Sequence, residues 1–260
     1  MRAEPVRPDF PIQADLPAGV GAWMSTRTGG CSPAPYDSLN LGDHVGDDAQ
    51  HVQANRAALA RAMGVQPVFL RQVNGTAVCE LGAGSPDGMV ADACYTFSPD
   101  LACTIMVADC LPVLLWDAQA RWVAAAHAGW RGLSAGVLEA LWAALQARGA
   151  LPQDARVWLG PCIGPQHFEV GPEVRSAFMD QEPAWRAAFR AGPGDRFWAD
   201  LPALAKARLQ RMGLRQIAGN DGGQAHCTVS QPALFFSHRR DAVAGRSTGR
   251  MAACIGRRSS

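Results

Sequence analysis

The chain has 260 residues, of which 48% are hydrophobic and 18% are charged, and its formal net charge is +1. This composition is that of a globular protein with a sizeable core, and it excludes a disordered chain. The nearly neutral charge gives no electrostatic reason to expect nucleic acid or an anionic membrane as a partner.

Neither the first eleven residues nor the cysteines suggest export. The first eleven residues contain charged residues and prolines but no apolar segment typical of a signal peptide. The longest near-apolar stretch, residues 101–116, is interrupted by Asp109 and Pro112 and is too short to span a bilayer. The eight cysteines form no C-x-x-C motif, so reduced, buried thiols are expected. These features predict a cytoplasmic protein.

The N-terminal part of the chain is predicted to contain one strand and one helix. Residues 1–20 form an extended lead-in, and a short strand in AWMSTRTGG runs into a glycine-rich turn. The segment SPAPYDSLNLGDHVGDD is a polar loop. A helix follows over about residues 49–63, with Asp47 or Asp48 as its N-cap and Gly64 at its end.

The segment RQVNGTAV, residues 71–78, is typical of a β-hairpin. Asn74 and Gly75 lie between two short apolar runs, and an Asn-Gly turn of this kind requires positive φ at both residues. The pattern therefore predicts two strands joined at this turn.

The remaining elements alternate between strands and helices. The segments DGMVADACYT and LACTIMVADCLPVLLWD are predicted strands, and the second is apolar enough to be buried on both faces. RWVAAAHAGW is a strand that runs into a helix over about residues 133–147. RVWLGPCIG is a further strand, residues 172–179 and 202–212 are helices, and HCTVSQPALFFSHRRDAVAGR holds one or two strands. Without a linker, a repeat or a low-complexity tract, residues 1–260 are predicted to form one α/β (α+β) domain with a mixed sheet.

Two polar residues lie where apolar strands stop. Cys110 follows IMVAD, and His127 follows VAAA and precedes the Gly-Trp-Arg-Gly turn that opens a helix. Ligands of α/β proteins bind at such strand ends, and a thiolate and a neutral imidazole suit zinc or copper. Taken singly, each residue has a structural alternative, a small buried side chain for Cys110 and a core histidine for His127.

Six segments in chain order resemble the YfiH family: STRTGG, NLGDHVGDD, ADACYTFSPDLACTIMVADCLPVLLWD, VAAAHAGWRG, GPCIGPQHFEV and FFSHRRDAVAGR. This family is also called laccase-domain or multicopper polyphenol oxidase-like, purine nucleoside phosphorylase-like, and peptidoglycan editing factor. The resemblance runs from about residue 23 to residue 249. It implies a layered α/β sandwich of mixed β-sheets, similar in architecture to cysteine hydrolases such as the catalytic domain of cytotoxic necrotizing factor.

The resemblance also implies a metal site with one ligand replaced. In the family, the His of QVHG, the Cys of ADC and the His of HAGW hold one ion, usually zinc and sometimes copper. The second and third ligands correspond to Cys110 and His127, whereas the first falls on Asn74 because QVHG has become QVNG. Weak or absent metal occupancy is therefore expected. Three residues are open as replacement ligands or as structural residues: His167, His226 and Cys162.

The six histidines of the chain include no His-x-His pair, which argues against the trinuclear copper cluster of a laccase. Other residues are candidates for binding substrate. Arg27 and Arg131 are predicted to hold phosphate. Asp109 is a candidate acid/base or orienting group, with a structural hydrogen bond at the strand end as the alternative. Three residues are expected at the pocket mouth or against the base: Asn40, His44 and Trp130, the last with a core role as its alternative.

Three functions stay open on the sequence. The resemblance implies phosphorolysis of adenosine, inosine, guanosine and methylthioadenosine, with adenosine deamination as a side activity and with small-molecule nucleoside and phosphate as partners. Asn74 is expected to impair this activity. The second function is amide hydrolysis of a peptidoglycan precursor with Cys110 and His127 as a nucleophile-base pair or as metal ligands. The third is a degenerate member that binds a nucleotide-like ligand without turnover. The sequence does not predict the oligomeric state.

Overall fold

The structure is a computed structural model, and it describes residues 10–12 and 14–258. The largest sheet has six strands in the order β12-β8-β6-β7-β4-β3. Two of its strand pairs, β12 with β8 and β3 with β4, are parallel, and the other pairs are antiparallel. The strands are β3 (Val78–Leu81), β4 (Ala93–Thr96), β6 (Leu111–Asp117), β7 (Val123–Ala128), β8 (Ala155–Leu159) and β12 (Gln216–Gly219).

A second sheet has four strands in the order β1-β13-β5-β2 and is also mixed, because β2 runs parallel to β5. A small antiparallel sheet has the order β10-β11-β9. The strands of the four-stranded sheet are β1 (Val20–Met24), β2 (Gln66–Phe69), β5 (Leu101–Val107) and β13 (Met251–Arg257). Those of the small sheet are β9 (Glu169–Val170), β10 (Phe189–Ala191) and β11 (Phe197–Ala199).

The two larger sheets pack face to face, and helices cover their outer faces. Leu114 and Trp158 of the six-stranded sheet meet Ile105 and Ile255 of the four-stranded sheet in the core between them. Helix α1 covers the outer face of the four-stranded sheet, and α3 and α5 cover that of the six-stranded sheet. The helices are α1 (Ala49–Met63), α2 (Trp130–Ala135), α3 (Val137–Ala147), α4 (Pro172–Met179), α5 (Leu201–Arg211) and α6 (His238–Val243). The predicted layered α/β sandwich of mixed sheets is confirmed.

The helices predicted from local signals lie where the sequence placed them. Asp48 caps α1 by accepting a hydrogen bond from Gln50 N, and Gly64 ends the helix with a φ of 68°. The helix predicted over residues 133–147 is divided, because Gly136 has a φ of 100° and separates α2 from α3. The apolar side chains of α3 are buried, and burial of each large one stabilises the fold by about 1.5–3 kcal/mol.

The predicted hairpin at Asn74-Gly75 is wrong. Strand β2 before the turn pairs with β5 in the four-stranded sheet, whereas β3 after the turn pairs with β4 in the six-stranded sheet. Asn74 alone has positive φ, at 60°, and Gly75 does not. The Asn-Gly signal reports a local turn correctly, but the partner of each strand is decided by contacts far away in the sequence.

Two other strand predictions need correction. The run LACTIMVADCLPVLLWD is buried as expected, but it forms two strands in different sheets, β5 and β6, and the bend between them carries Asp109 with a φ of 89°. The segment HCTVSQPALFFSHRRDAVAGR holds no strand among the described residues. It forms turns and α6, while the last strand, β13, begins at Met251.

The predicted lead-in of residues 1–20 lies partly outside the described residues, which begin at Phe10. Phe10 forms an isolated antiparallel bridge with Met24, and β1 begins at Val20. None of the helices in the described part of the chain has the length and apolar character needed to cross a membrane.

Candidate functional site

A cavity of about 740 Å³ lies at the edge of the six-stranded sheet where β6 begins and β7 ends. The register of these two strands pairs Leu111 with Ala128 and Pro112 with His127. Cys110 is the residue before β6, so the pairing brings it next to the end of β7. Cys110 and His127 both line the cavity. The ring of His127 is almost fully buried, whereas Cys110 is partly exposed.

The loop between β2 and β3 brings Asn74 to the same place. A Cβ atom on Gly129 would lie 2.6 Å from Asn74 Oδ1, 3.0 Å from Cys110 Sγ and 3.7 Å from His127 Cε1. The three side chains therefore surround one point, and only glycine leaves room for them there. Gly132 likewise leaves room for the loop that carries Asn74, because a Cβ on Gly132 would lie 2.9 Å from the Gly75 carbonyl oxygen. The structure thus brings together the three positions that the resemblance assigned to one metal.

Asp92, which was not predicted from the sequence, holds this arrangement together. Its Oδ1 accepts hydrogen bonds from Asn74 N at 2.9 Å and from His127 Nδ1 at 2.8 Å. Its Oδ2 accepts from Val73 N at 3.1 Å and from Gly75 N at 2.7 Å. Asp92 is fully buried just before β4. One carboxylate therefore fixes both the loop that carries Asn74 and the imidazole of His127.

The charges of the site are strongly coupled. Burial alone would lower the pKa of His127, but the charge of Cys110 and the hydrogen bonds to Asp92 and Cys110 outweigh burial and raise it to about 9. Burial would raise the pKa of Asp92, yet the hydrogen bonds from His127 and from the loop N–H groups hold it below its ordinary value. The hydrogen bond and charge of Asp92 therefore favour the cationic form of His127.

The residues present do not make up a three-ligand zinc site. Catalytic zinc takes three protein ligands, usually His, Cys, Asp or Glu. Within residues 10–12 and 14–258, no group of three or more such residues could hold a metal ion. Cys110 and His127 are two suitable donors, but the third side chain at this point is the neutral amide of Asn74. The weak or absent occupancy expected from the sequence stays a prediction.

None of the three alternative ligands lines the cavity. His167 hydrogen-bonds Ser230 Oγ at 3.0 Å, and His226 packs edge-on against Phe10. Cys162 is fully buried, and its Sγ accepts a hydrogen bond from Asn220 Nδ2 at 3.4 Å. Each is accounted for by these structural contacts.

Asp109 lines the cavity, but both of its carboxylate oxygens already have protein donors. Thr228 Oγ1 lies 2.5 Å from Oδ1, and Arg239 N lies 2.6 Å from Oδ2. Its carbonyl oxygen accepts from Ile163 N at 2.9 Å. Asp109 thus ties the bend before β6 to the start of α6, which favours the structural alternative. The bend in turn sets the position of Cys110.

Arg27 and Asn40 do not reach the cavity. Asn40 is fully buried, and its amide bonds Gly42 and Asp47 within the polar loop. Arg27 Nε donates to Asp37 O at 2.9 Å, Nη1 donates to Pro232 O at 3.1 Å, and Nη2 lies 3.2 Å from Asp37 Oδ2. The predicted phosphate ligand is therefore a tether between two loops, since its guanidinium is already engaged.

We expect Arg27→Ala to lower the free energy of unfolding by about 1–2 kcal/mol, because it leaves loop carbonyl oxygens without donors. Phosphate dependence of any turnover should stay unchanged. Urea unfolding and phosphate titration measure the two effects. A rise in the phosphate KM with unchanged stability would instead return Arg27 to the role predicted from the sequence.

Other predicted residues do line the cavity, together with arginines that were not predicted. His44, Trp130 and Arg131 are among them, and Arg131 lies over the Trp130 ring at 4.5 Å. Trp130 also packs against the hydrophobic core, so its position is compatible with both predicted roles, stacking on a base and packing in the core. Arg71 was not predicted to line the cavity. It directly precedes the QVNG segment, whose resemblance to QVHG is the sequence signal that could have identified it. The lining also includes polar residues that were not predicted, among them Arg56, Gln72, His238 and Arg250.

Comparison with known proteins agrees with this fold and arrangement. Residues 21–258 match the model of the family described as multi-copper polyphenol oxidoreductase laccase. Purine nucleoside phosphorylase YfiH of Escherichia coli is 47% identical over 241 residues, which cover 92% of this chain and 94% of that protein. A purine nucleoside phosphorylase of Pseudomonas aeruginosa is 48% identical with the same coverages, 92% and 94%.

The crystal structure of a Neisseria meningitidis protein superposes with a TM-score of 0.85 at 42% sequence identity, covering 95% of this chain and 98% of that chain. The family match, the level of identity and the superposition all extend over nearly the whole chain. The chain therefore belongs to the YfiH family, the family of multi-copper polyphenol oxidoreductase laccase sequences.

Proposed function

We propose that the protein is a purine nucleoside phosphorylase that acts on adenosine, inosine, guanosine and methylthioadenosine. The observation that carries the proposal is a cavity in which the Cys110–His127 pair faces two arginines, Arg71 and Arg131, that have no carboxylate partner among the described residues. The names of relatives at 47% and 48% identity support the same activity. A volume of about 740 Å³ has room for a nucleoside and a phosphate ion.

Arg71 and Arg131 are the candidates for the phosphate site, because the other cavity arginines are engaged. Arg239 donates to the carbonyl oxygens of His167 and Glu169, each at 3.1 Å. Arg56 donates to Leu41 O at 2.9 Å and pairs with carboxylates. Two exposed guanidinium groups can hold phosphate through charge-assisted hydrogen bonds.

The reaction needs an attack by phosphate on the anomeric carbon of the ribose and a proton for the departing base. Arg71 and Arg131 would hold the attacking phosphate, and the Trp130 ring would stack on the purine. His127, whose Nδ1 is fixed by Asp92, would supply the proton to the purine through Nε2. Adenosine deamination needs an activated water, so we expect this side activity to be weaker than phosphorolysis.

The test is release of hypoxanthine from inosine in the presence and absence of phosphate, followed by chromatography. We expect Arg71→Ala and Arg131→Ala each to raise the phosphate KM by about 10- to 100-fold, the equivalent of one or two charge-assisted hydrogen bonds. Arg215→Ala is the matched control, because Arg215 is exposed and does not line the cavity.

The alternatives give different results in the same assay. Release of hypoxanthine that does not depend on phosphate would indicate a hydrolase. Binding of inosine without any release would indicate a degenerate member. Hydrolysis of an amide in a peptidoglycan precursor is the second candidate function, and the hydrogen-bonded order Asp92–His127–Cys110 favours it.

A further inference from the structure

The cavity carries more positive charge than phosphorolysis of a nucleoside uses. Its described lining includes five arginines and two aspartates, whereas the whole chain has a formal net charge of only +1. Arg71 and Arg131 are assigned to the attacking phosphate, and neither the purine nor the ribose of a nucleoside is charged. The excess of positive charge favours a ligand that brings a further negative charge of its own.

Arg250 is the arginine whose charge is left without a counter-ion. It lines the cavity, is partly buried and forms no ion pair within the described part of the chain. Desolvation lowers the pKa of its guanidinium. Asp109 acts on this charge only from a distance, because both oxygens of that carboxylate already accept hydrogen bonds from other donors. A partly buried cation in this state is stabilised when a ligand anion binds beside it.

The surrounding backbone holds the Arg250 side chain in place and leaves one edge of it open. Nη1 donates to the carbonyl oxygens of Thr248 and Gly249, each at 3.1 Å. The stem runs over Gly42, where an added Cβ would lie 2.7 Å from Arg250 Cγ, and the backbone N–H donates to Asn40 Oδ1 at 2.9 Å. Nε and Nη2 donate to no acceptor among the described residues. These two nitrogens share one edge of the guanidinium, and such an edge binds two oxygens of a phosphate.

The order of the four-stranded sheet separates this edge from the first phosphate site. Strand β13 pairs antiparallel with β5, so Arg250, the residue before β13, lies beside the end of β5. Arg71 follows β2, which pairs with β5 from the opposite side, and the side chain of Gln72 hydrogen-bonds Met106 near the end of β5. With strands spaced about 4.8 Å apart, the backbones of Arg71 and Arg250 are roughly 10 Å apart. A separation of this size lets two phosphate groups bind in the cavity side by side.

The ribose of a purine nucleoside can carry a second phosphate at the required distance from the first. In phosphorolysis the attacking phosphate binds at C1′, whereas the 5′ carbon projects from C4′, across the ring oxygen. A phosphate ester at the 5′ position is therefore separated from the attacking phosphate by the width of the ring. We propose that Nε and Nη2 of Arg250 form a second anion subsite, which binds the 5′-phosphate of a purine nucleoside 5′-monophosphate as the substrate. This inference rests on the proposed function for the base and the ribose, and it adds the phosphate ester.

Phosphorolysis of such a substrate balances in the same way as that of a nucleoside. The bond from C1′ to N9 breaks, and its electron pair stays on the purine. An oxygen of hydrogenphosphate forms the new bond to C1′, and the purine gains the proton that hydrogenphosphate loses. The 5′-phosphate takes no part in the bond changes, so the products are the free base and ribose 1,5-bisphosphate.

Calorimetric titration of the full-length protein with inosine 5′-monophosphate and with inosine tests the subsite. We expect the monophosphate to bind about 10- to 100-fold more tightly, the effect of one or two charge-assisted hydrogen bonds. Arg250→Gln should remove most of this preference and leave the affinity for inosine unchanged, because glutamine keeps a donor for the carbonyl oxygens but has no charge. Arg250→Lys, which keeps the charge but not the paired nitrogens, should retain part of the preference.

Arg71→Gln is the matched control, because it removes an arginine of the same cavity from the first phosphate site. It should raise the phosphate KM of inosine phosphorolysis and keep the preference for the monophosphate. Loss of the preference in Arg71→Gln but not in Arg250→Gln would overturn the proposal. Equal affinities of the unchanged protein for the two ligands would do the same without any variant. A raised phosphate KM in Arg250→Gln would also contradict it, because Arg250 would then hold inorganic phosphate.

Turnover separates this inference from the proposed function. With phosphate present, chromatography and mass spectrometry should find hypoxanthine and ribose 1,5-bisphosphate from inosine 5′-monophosphate, with kcat/KM higher than for inosine by about 10-fold or more. If inosine is phosphorolysed and the monophosphate binds without being cleaved, the assignment of the monophosphate as substrate is wrong. If neither compound is cleaved, the proposed function fails, and the binding preference still decides whether the subsite exists.

Discussion

Asn74→His is expected to raise the zinc content of the purified protein to about one ion per chain, where the unchanged protein holds much less. The substitution places an imidazole beside Cys110 and His127, around the point where a Gly129 Cβ would lie 2.6 Å from Asn74 Oδ1 and 3.0 Å from Cys110 Sγ. Histidine is among the non-glycine residues that adopt positive φ, so the loop should accept it at 60°. The three donors then match the ligand set of a catalytic zinc site.

Metal binding should also stabilise the variant. With zinc at about 100 times its Kd, the gain is about 2.7 kcal/mol by mass action, which corresponds to a rise in Tm of roughly 5–10 °C for a chain of this size. Metal analysis after dialysis and thermal unfolding with and without a chelator measure the two effects. Asn74→Gly is the control, because glycine accepts the same φ and brings no ligand. Equal zinc in all three proteins would show that residue 74 is not at a ligand position.

Asp92→Asn is expected to have the largest effect on both stability and turnover. An amide in place of the carboxylate presents a donor to the N–H groups of Val73 and Gly75 or to those of Asn74 and His127. Two donors then lose their acceptor, which should cost about 2–6 kcal/mol of unfolding free energy. Turnover by the folded fraction should fall by about 10- to 100-fold or more, because His127 is no longer oriented.

Asp117→Asn is the matched control for this variant. Asp117 is also fully buried, has a lowered pKa and accepts hydrogen bonds from Arg121 and the N–H of Gln119, but it lies at the far end of β6. The Asp117→Asn variant should have a lower free energy of unfolding, but its turnover per folded molecule should be unchanged. The pH profile separates the two further, because Asp92 helps to hold the pKa of His127 at about 9. Only Asp92→Asn should move the basic limb of the profile to lower pH; the same profile in both variants would contradict the role of Asp92.

Elements whose boundaries depend on neighbouring residues could be predicted from the sequence. The pairing of strands could not be predicted, because it depends on contacts between residues far apart in the chain. Helix α1 is capped by Asp48 and ended by Gly64, and α4 begins with Pro172, so both could be located from local chemistry. The sheet to which a strand belongs depends on partners far along the chain. This explains why the turn at Asn74 was mistaken for a hairpin and why β5 and β6 were not separated.

The residues of the candidate site were also only partly predictable from the sequence. The resemblance identified the three positions around Gly129, and the structure brings their side chains together. Asp92 escaped notice because one acidic residue before a strand has many structural explanations until its four hydrogen bonds are known. Arg27 was misplaced for the opposite reason. Its glycine-rich segment suggested phosphate, but its guanidinium holds Asp37 and Pro232.

The hydrogen bonds from the loop to Asp92 allow the side chain at position 74 to change during evolution. Asp92 contacts residue 74 through its backbone N–H, which every amino acid except proline possesses. Because the φ at this position is 60°, the residues that fit it best are glycine, asparagine, aspartate and histidine. In the genetic code, an asparagine codon becomes a histidine or an aspartate codon by one base change. A lineage can therefore gain or lose a histidine at this position, in either direction, through a single point mutation that leaves the hydrogen bonds of the loop intact.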